Sequence, residues 1–296
     1  MSAGQIAIPA PAESEPVKRS PGTFSRLCRR PLPALGALLL GLLVISAIAA
    51  PLIAPFDPIE MNVVDRLMPP DATYWFGTDA YGRDIFSRTL YGGRVSLIIG
   101  VSVAFASTMI GLLIGVIAGY SRAADAILMR IMDGLMAIPG ILLAIALMSL
   151  TRANIWVVII AITIPEVPRV VRLVRAVVLS VREHVYVQAA TAVGTRLPRL
   201  MVRHILPNTF APLIVQATYI AASAVLVESY LSFLGVGTPP EIPSWGNIIA
   251  EGRLYVQIAF WNILFPSIFL ALMVLSINVL GDGLRDTLDP RLARRL

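Results

Sequence analysis

The side chains able to do covalent or metal chemistry are few, and their spacing is wrong for it. A phosphate-binding P-loop ends in Gly-Lys, yet the chain's one lysine is Lys18, so ATP hydrolysis by that route is excluded. His184 and His204 do not fall in a His-Glu-x-x-His pattern, and the lone Cys28 supports neither a thiolate cluster nor an intramolecular disulfide. No catalytic residue and no metal site is expected. What the polar residues offer is contact. From Tyr186 to Gly194 and on to His204-Ile-Leu-Pro-Asn208, small, aromatic and basic side chains stand between long apolar stretches. This insert runs for about 33 residues, from Arg175 to Pro207, and loops of that length are usually functional.

Its internal spacing predicts two helices. Val185, Ala189 and Ala192 share a helical face, and the small Ala189-Ala190 pair lets another surface approach closely. Gly194 fits a helix stop of positive φ. Thr195 is then expected to cap a second helix with Pro198 in its first turn. Arg196, Arg199 and Arg203 would share one face of that helix, while Leu197, Leu200, Met201 and Ile205 supply apolar contacts. Pro207 is expected to mark the turn back into the membrane. The plainer alternative is an amphipathic interfacial loop tied down by arginines.

The elements that must position this insert are membrane spans. With 57% hydrophobic and 14% charged residues in 296, the chain lacks the polar surface a soluble globule of this size requires. Six apolar runs approach the roughly 20 residues a helix needs to cross a bilayer. They are placed at Leu35–Ala54, Val95–Tyr120, Ile131–Leu150, Ile155–Val174, Thr209–Ser229 and Phe260–Gly281. The alternation of a membrane β-barrel is absent. An uncleaved first span is preferred over a signal peptide, because Pro51-Leu-Ile-Ala-Pro55 is a poor cleavage site. With both termini inside, only Arg66, Arg83, Arg88, Arg94, Arg152 and Arg253 of the 24 basic residues lie outside. That bias supports cytoplasmic termini and makes a nucleic-acid partner improbable. The resulting division is a cytoplasmic tail at 1–33, a first span at 35–54 and a periplasmic loop at 55–94. A core at 95–281 follows, with a cytoplasmic loop at about 175–207 and a periplasmic loop at about 230–259, and then a cytoplasmic tail at 282–296.

Ala189-Ala190, Gly194 and Leu206-Pro207 resemble in spacing the "EAA" coupling loop of ABC-importer permeases. Gln188 stands at the usual Glu, and His204 at the usual Ile. Trp75-Phe-Gly-Thr-Asp-Ala-Tyr-Gly-Arg-Asp-Ile-Phe-Ser-Arg88, Leu231-Ser-Phe-Leu-Gly-Val-Gly-Thr-Pro-Pro240 and Asn278-Val-Leu-Gly-Asp-Gly-Leu-Arg-Asp-Thr-Leu-Asp-Pro290 resemble the C-type permease subunit of dipeptide, oligopeptide, nickel and glutathione importers. The resemblance implies an all-α integral membrane protein with six transmembrane helices, the type I ABC-importer (MetI-like) permease fold, in the bacterial inner membrane. It implies a homologous B-type permease, two ATP-binding subunits that use ATP and Mg²⁺, and a periplasmic solute-binding protein as partners, with membrane lipid around them. The chain itself would hold no cofactor. Gln188, Ala189, Ala190, Gly194, His204, Leu206 and Pro207 would form the contact with the ATPase.

Two further groups are singled out. Asp79 with Arg83, and Asp84 with Arg88, can pair at helical spacing; Asp79, Arg83 and Asp84 are candidates for docking the binding protein. Glu228 and Asn278 are candidates for the translocation path, since polar groups within spans commonly face a cavity. The alternative class is an ATP-independent channel or ion-coupled secondary carrier, which would transport without any ATPase.

Overall fold

The computed structural model describes residues 31–151 and 154–288. The expectations for the N-terminal tail, including Lys18 and Cys28, for Arg152 and for the last eight residues lie outside them. The described chain is helical, with only one isolated antiparallel bridge, between Thr78 and Asp84. Its helices are α1 (Pro31–Ile48), α2 (Ala50–Ile53), α3 (Ile85–Tyr120), α4 (Arg122–Met136), α5 (Gly140–Ser149) and α6 (Ile155–Arg182). There follow α7 (Val185–Ala192), α8 (Leu197–Leu200), α9 (Leu206–Phe233), α10 (Trp245–Gly252) and α11 (Trp261–Leu288).

Local chemistry sets several starts. Asp84 Oδ2 accepts the Ser87 N–H at 2.8 Å and caps α3, so that helix begins ten residues before the apolar run suggested. Asn154 accepts from Trp156 at the start of α6, and Ser244 from Asn247 at the start of α10. The third expected span is not straight. Ile138 precedes Pro139, a position that disfavours helical backbone, and α4 and α5 meet there at 85°. By length and composition four helices can cross a membrane, and the bent pair makes a fifth. Helix α6 is long enough, yet carries Glu166, Arg169 and Arg172 within its apolar stretch.

Helix α6 is the inner element. Its Val170, Val174 and Val178, all fully buried, face Gly111, Gly115 and Gly119 of α3. A Cβ at those glycines would lie 2.4, 2.7 and 2.7 Å from the three valine Cβ atoms. The two backbones therefore meet along two turns of small residues, the packing that holds helices together where no hydrophobic force acts between them. Helix α4 packs against both α3 and α6, with Met132 beside Ile114, Val167 and Val171, and there Arg172 binds Asp133 at 2.6 Å and Arg175 clamps Asp125. Helices α9 and α11 complete the bundle, and α1 packs on α11 with Gly36 against Val279.

The loops sort to two ends. Residues 55–84 and the stretch around α10 meet at one, and the insert from Glu183 to Ile205 stands at the other, beside Tyr120. The described chain ends, Pro31 and Leu288, lie with the insert: Pro31 shares a cleft with Asp282 and Gly283, and Leu288 another with Pro207 and Asn208.

Gly115→Ala should overpack the α3–α6 seam and cost about 1–3 kcal/mol. Gly41, whose added Cβ would meet nothing within 4 Å, should accept Ala without loss. Thermal unfolding of the two variants in detergent checks the contrast; equal transitions would refute the seam.

Candidate functional site

Every residue of the insert singled out by spacing is described. Arg182 ends α6 by donating to the carbonyls of Gly119 and Tyr120 at 2.9 and 3.1 Å, which ties the start of the insert to the end of α3. Helix α7 follows, anchored by Val187, while Leu200 and Ile205 anchor the return; all three are buried. Ala190 is half-buried against the same core. The opposite face is open: Val185 is 81% exposed and Val193 87%, with Tyr186, Ala189 and Ala192 beside them. Exposed apolar groups gathered on a polar loop mark a contact surface. Gln188 is exposed and bonds the Glu183 carbonyl at 3.2 Å.

Gly194 has φ +80°. Thr195 N–H bonds the Ala190 carbonyl and Gly194 N–H that of Thr191, closing a Schellman stop that a side chain would strain. Thr195 does not cap the second helix. The N-cap is Arg196, whose side chain makes no cap bond, so α8 starts one residue later than its polar signal suggested. Pro207 marks no turn either. Residues 197–233 form one long helical segment, with a π-turn at Met201–Ile205. Proline lacks the N–H that would bond Arg203, and the wider turn, closed by Leu206 N–H on Met201, absorbs that gap. Leu206 is half-buried at its end.

Spacing alone missed a latch. Tyr186 stacks edge-on beside His184 and lies 6.2 Å from the ring of His204. Asn208 donates to Tyr186 Oη at 3.2 Å and to the His204 carbonyl at 2.6 Å. The aromatic and the amide, 22 positions apart, join α7 to the foot of α9. An i, i+4 pairing of Asn208 with His204 was the visible half of that signal.

At the other end the four charges behave unlike a docking surface. Asp79, Arg83 and Asp84 are only 4%, 5% and 3% exposed. Arg83 binds Asp79 at 2.6 Å, and Arg88 reaches the same carboxylate at 3.2 Å. Both arginines also bind Glu251 of α10, at 2.5 and 3.0 Å. The expected Asp84–Arg88 pair does not form: Asp84 caps α3, and burial pushes its carboxyl above the ordinary range although the Ser87 bonds oppose this. The cluster is an internal fastener between the two loops. Trp245 ties the start of α10 to α3, its ring against Gly92 and Gly93 and its Nε1 on the Thr89 carbonyl at 2.9 Å.

The two path candidates part company. Asn278 lines a cleft of 320 Å³ with Glu166, Arg169, Gln216 and Tyr219. Glu228 is fully buried elsewhere, accepting from Ser232 at 2.8 Å within a polar core that includes Thr238, Ser244 and Asn247. It stiffens the join between α9 and the loop to α10 and faces no cleft among the described residues.

The site is thus a helical bundle with an insert between two long helices, its exposed apolar side chains facing outward, and a partly polar groove beside it. A chain of the inward-facing MetNI methionine ABC transporter shares the fold: it superposes with a TM-score of 0.58, at 21% identity, over 69% of this chain and 98% of that one. Residues 111–294 match the model of binding-protein-dependent transport system inner membrane components, and residues 22–70 that of the N-terminal transmembrane domain of oligopeptide transport permease C. The chain belongs to this family of ABC-transporter permeases. A protein of Sinorhizobium fredii named a probable peptide ABC transporter permease is 57% identical over 92% of this chain and 94% of its own. The dipeptide transport system permease protein of Alkalihalophilus pseudofirmus is 42% identical over 91% and 89%.

Removing one partner of a buried ion network costs about 3–5 kcal/mol. Asp79→Ala should therefore lower the yield and thermal transition of folded protein in the membrane. A stable Asp79→Ala protein that had lost only capture by a soluble binding protein would restore the docking role.

Proposed function

We propose that this chain is the non-catalytic transmembrane subunit of an ATP-driven importer and forms half of a path for peptides or similar small solutes. The carrying observation is the insert. Three buried apolar anchors hold it against the bundle, and it turns Val185, Tyr186, Ala189 and Val193 outward. An amphipathic helix so presented fits a groove on a partner. That partner is one of two ATP-binding subunits, which bind and hydrolyse ATP with Mg²⁺, while a homologous B-type permease closes the path and a periplasmic binding protein delivers the solute. The names of the relatives support peptides as the solute class.

The same reading sets the orientation. The insert and both described chain ends share one end of the bundle, and the bias of basic residues puts that end in the cytoplasm of a bacterial inner membrane. The large apolar side chains exposed on α1 and α3, among them Leu38, Leu42, Phe105 and Leu113, then meet lipid or the second permease. In this scheme Ala189, Ala190 and Gly194 shape the contact, Gln188 and His204 stand at its edge, and Leu206 and Pro207 join it to the span.

Ala189→Asp places a charge in that contact, at a cost on the order of a few kcal/mol once it is buried there. The variant should insert normally, yet fail to co-purify with the ATPase subunits and lose ATP-driven uptake. Wild-type co-purification and uptake would sink the coupling assignment, and flux in vesicles lacking any ATPase would favour a channel or ion-coupled carrier.

A further inference from the structure

Helix α6 carries Pro165 and Pro168, which have no N–H for the carbonyls of Ala161 and Ile164. Glu166 and Arg169 stand in this interrupted turn. Arg169 Nη1 donates to both oxygens of Glu166, at 3.1 and 3.2 Å. The pair is lopsided: the Glu166 side chain is 9% exposed and the Arg169 side chain 58%. Across the cleft, α9 contributes Gln216 and Tyr219, and α11 contributes Asn278. Ionisable groups in the middle of a spanning helix are costly, and they persist where they face a water-filled cavity or a solute.

The cleft's 320 Å³ falls within the roughly 300–1,000 Å³ of small-molecule sites. A second, larger cleft of 650 Å³ shares Gln216 and Tyr219 with it and runs towards Pro207 and Arg285. The two make one track along α9. Its upper part offers an acid, a base with donors to spare and neutral amides side by side. Arg169 suits a carboxylate, and Glu166 an ammonium group. A bare metal ion would find one carboxylate there, and no group of three His, Cys, Asp or Glu side chains placed for a metal occurs among the described residues. We propose that the cleft between Glu166, Arg169, Gln216, Tyr219 and Asn278 is a contact site for short peptides with free termini, Arg169 taking the carboxylate and Glu166 the ammonium. This rests on the importer reading.

The test uses the assembled transporter in membrane vesicles. Ser223, half-buried on the cleft wall, is replaced by cysteine as a reporter in a Cys28→Ser chain, and its alkylation rate is followed with and without added dialanine. Dialanine should slow alkylation, and N-acetyl-dialanine amide, with both ends blocked, should not. Glu166→Gln or Arg169→Gln should weaken the dialanine protection about tenfold, the loss of one charge-assisted contact. An unchanged rate without peptide shows that the cleft is intact in each variant. Equal protection by the blocked peptide, no protection by dialanine, or full protection in both variants would overturn the assignment. ATP-driven uptake by the unaltered transporter is measured in parallel. If it persists while protection fails, this inference alone falls; flux without ATPase subunits would instead remove the reading beneath it.

Discussion

The contact on which the rest depends is the meeting of three glycines with three valines. In water two helices are driven together by burying apolar surface, but lipid tails are as apolar as valine, so inside a bilayer close fit must replace that force. Gly111, Gly115 and Gly119 remove the side chains that would hold α3 away, and Val170, Val174 and Val178 enter the space. The consequences run both ways along α6. Upward, the fit fixes the rotation that turns Glu166 and Arg169 into the cleft beside α9. Downward, it brings Arg182 within reach of the last carbonyls of α3 and so sets where the insert begins.

The two ends of the bundle are held by different physics. At the loop end, Arg83 and Arg88 bind Asp79 and Glu251, and removing one partner of such a network costs about 3–5 kcal/mol because it strands a buried charge. At the insert end, Val187, Leu200 and Ile205 join one apolar cluster with the bundle, each burying a side chain worth about 1.5–3 kcal/mol. Apolar contacts of this kind can shift without leaving an unpaired charge, which suits a surface meant to follow a partner.

Much of the fold was legible because its signals are local. Apolar runs located the long helices, and Gly194 marked the stop of α7. What escaped was non-local. Arg88 looked like a partner for Asp84 because spacing sees only one helix, whereas its partners are Asp79, in the preceding loop, and Glu251, 163 positions away. The same blindness made Asp79 and Arg83 look like a docking surface. Glu228 read as a path residue because nothing in its own segment reveals the hydroxyls of Thr238 and Ser244 that enclose it. The break at Ala137–Pro139 was visible in principle, as Ile138 precedes a proline, but the unbroken hydrophobicity on either side outweighed that one residue.

Pro207 was misjudged for a reason that bears on mechanism. A proline at the foot of a span suggests a turn, and a turn would uncouple the insert from the membrane. The chain instead widens one turn at Met201–Ile205 and stays helical from Leu197 to Phe233. Gln216 and Tyr219 lie eleven and fourteen residues beyond Ile205, or about 15–20 Å along the same helix at 1.5 Å per residue. Under the proposed reading, a partner that moves the insert therefore moves a continuous helical segment whose other face lines the cleft. No loop intervenes to absorb the displacement, and Asn208, bonded to both Tyr186 and His204, ties α7 to the same segment. The π-turn and Pro212, which has no N–H for the Asn208 carbonyl, are then the compliant points on the lever, both placed between the surface that receives force and the groups that would contact the solute.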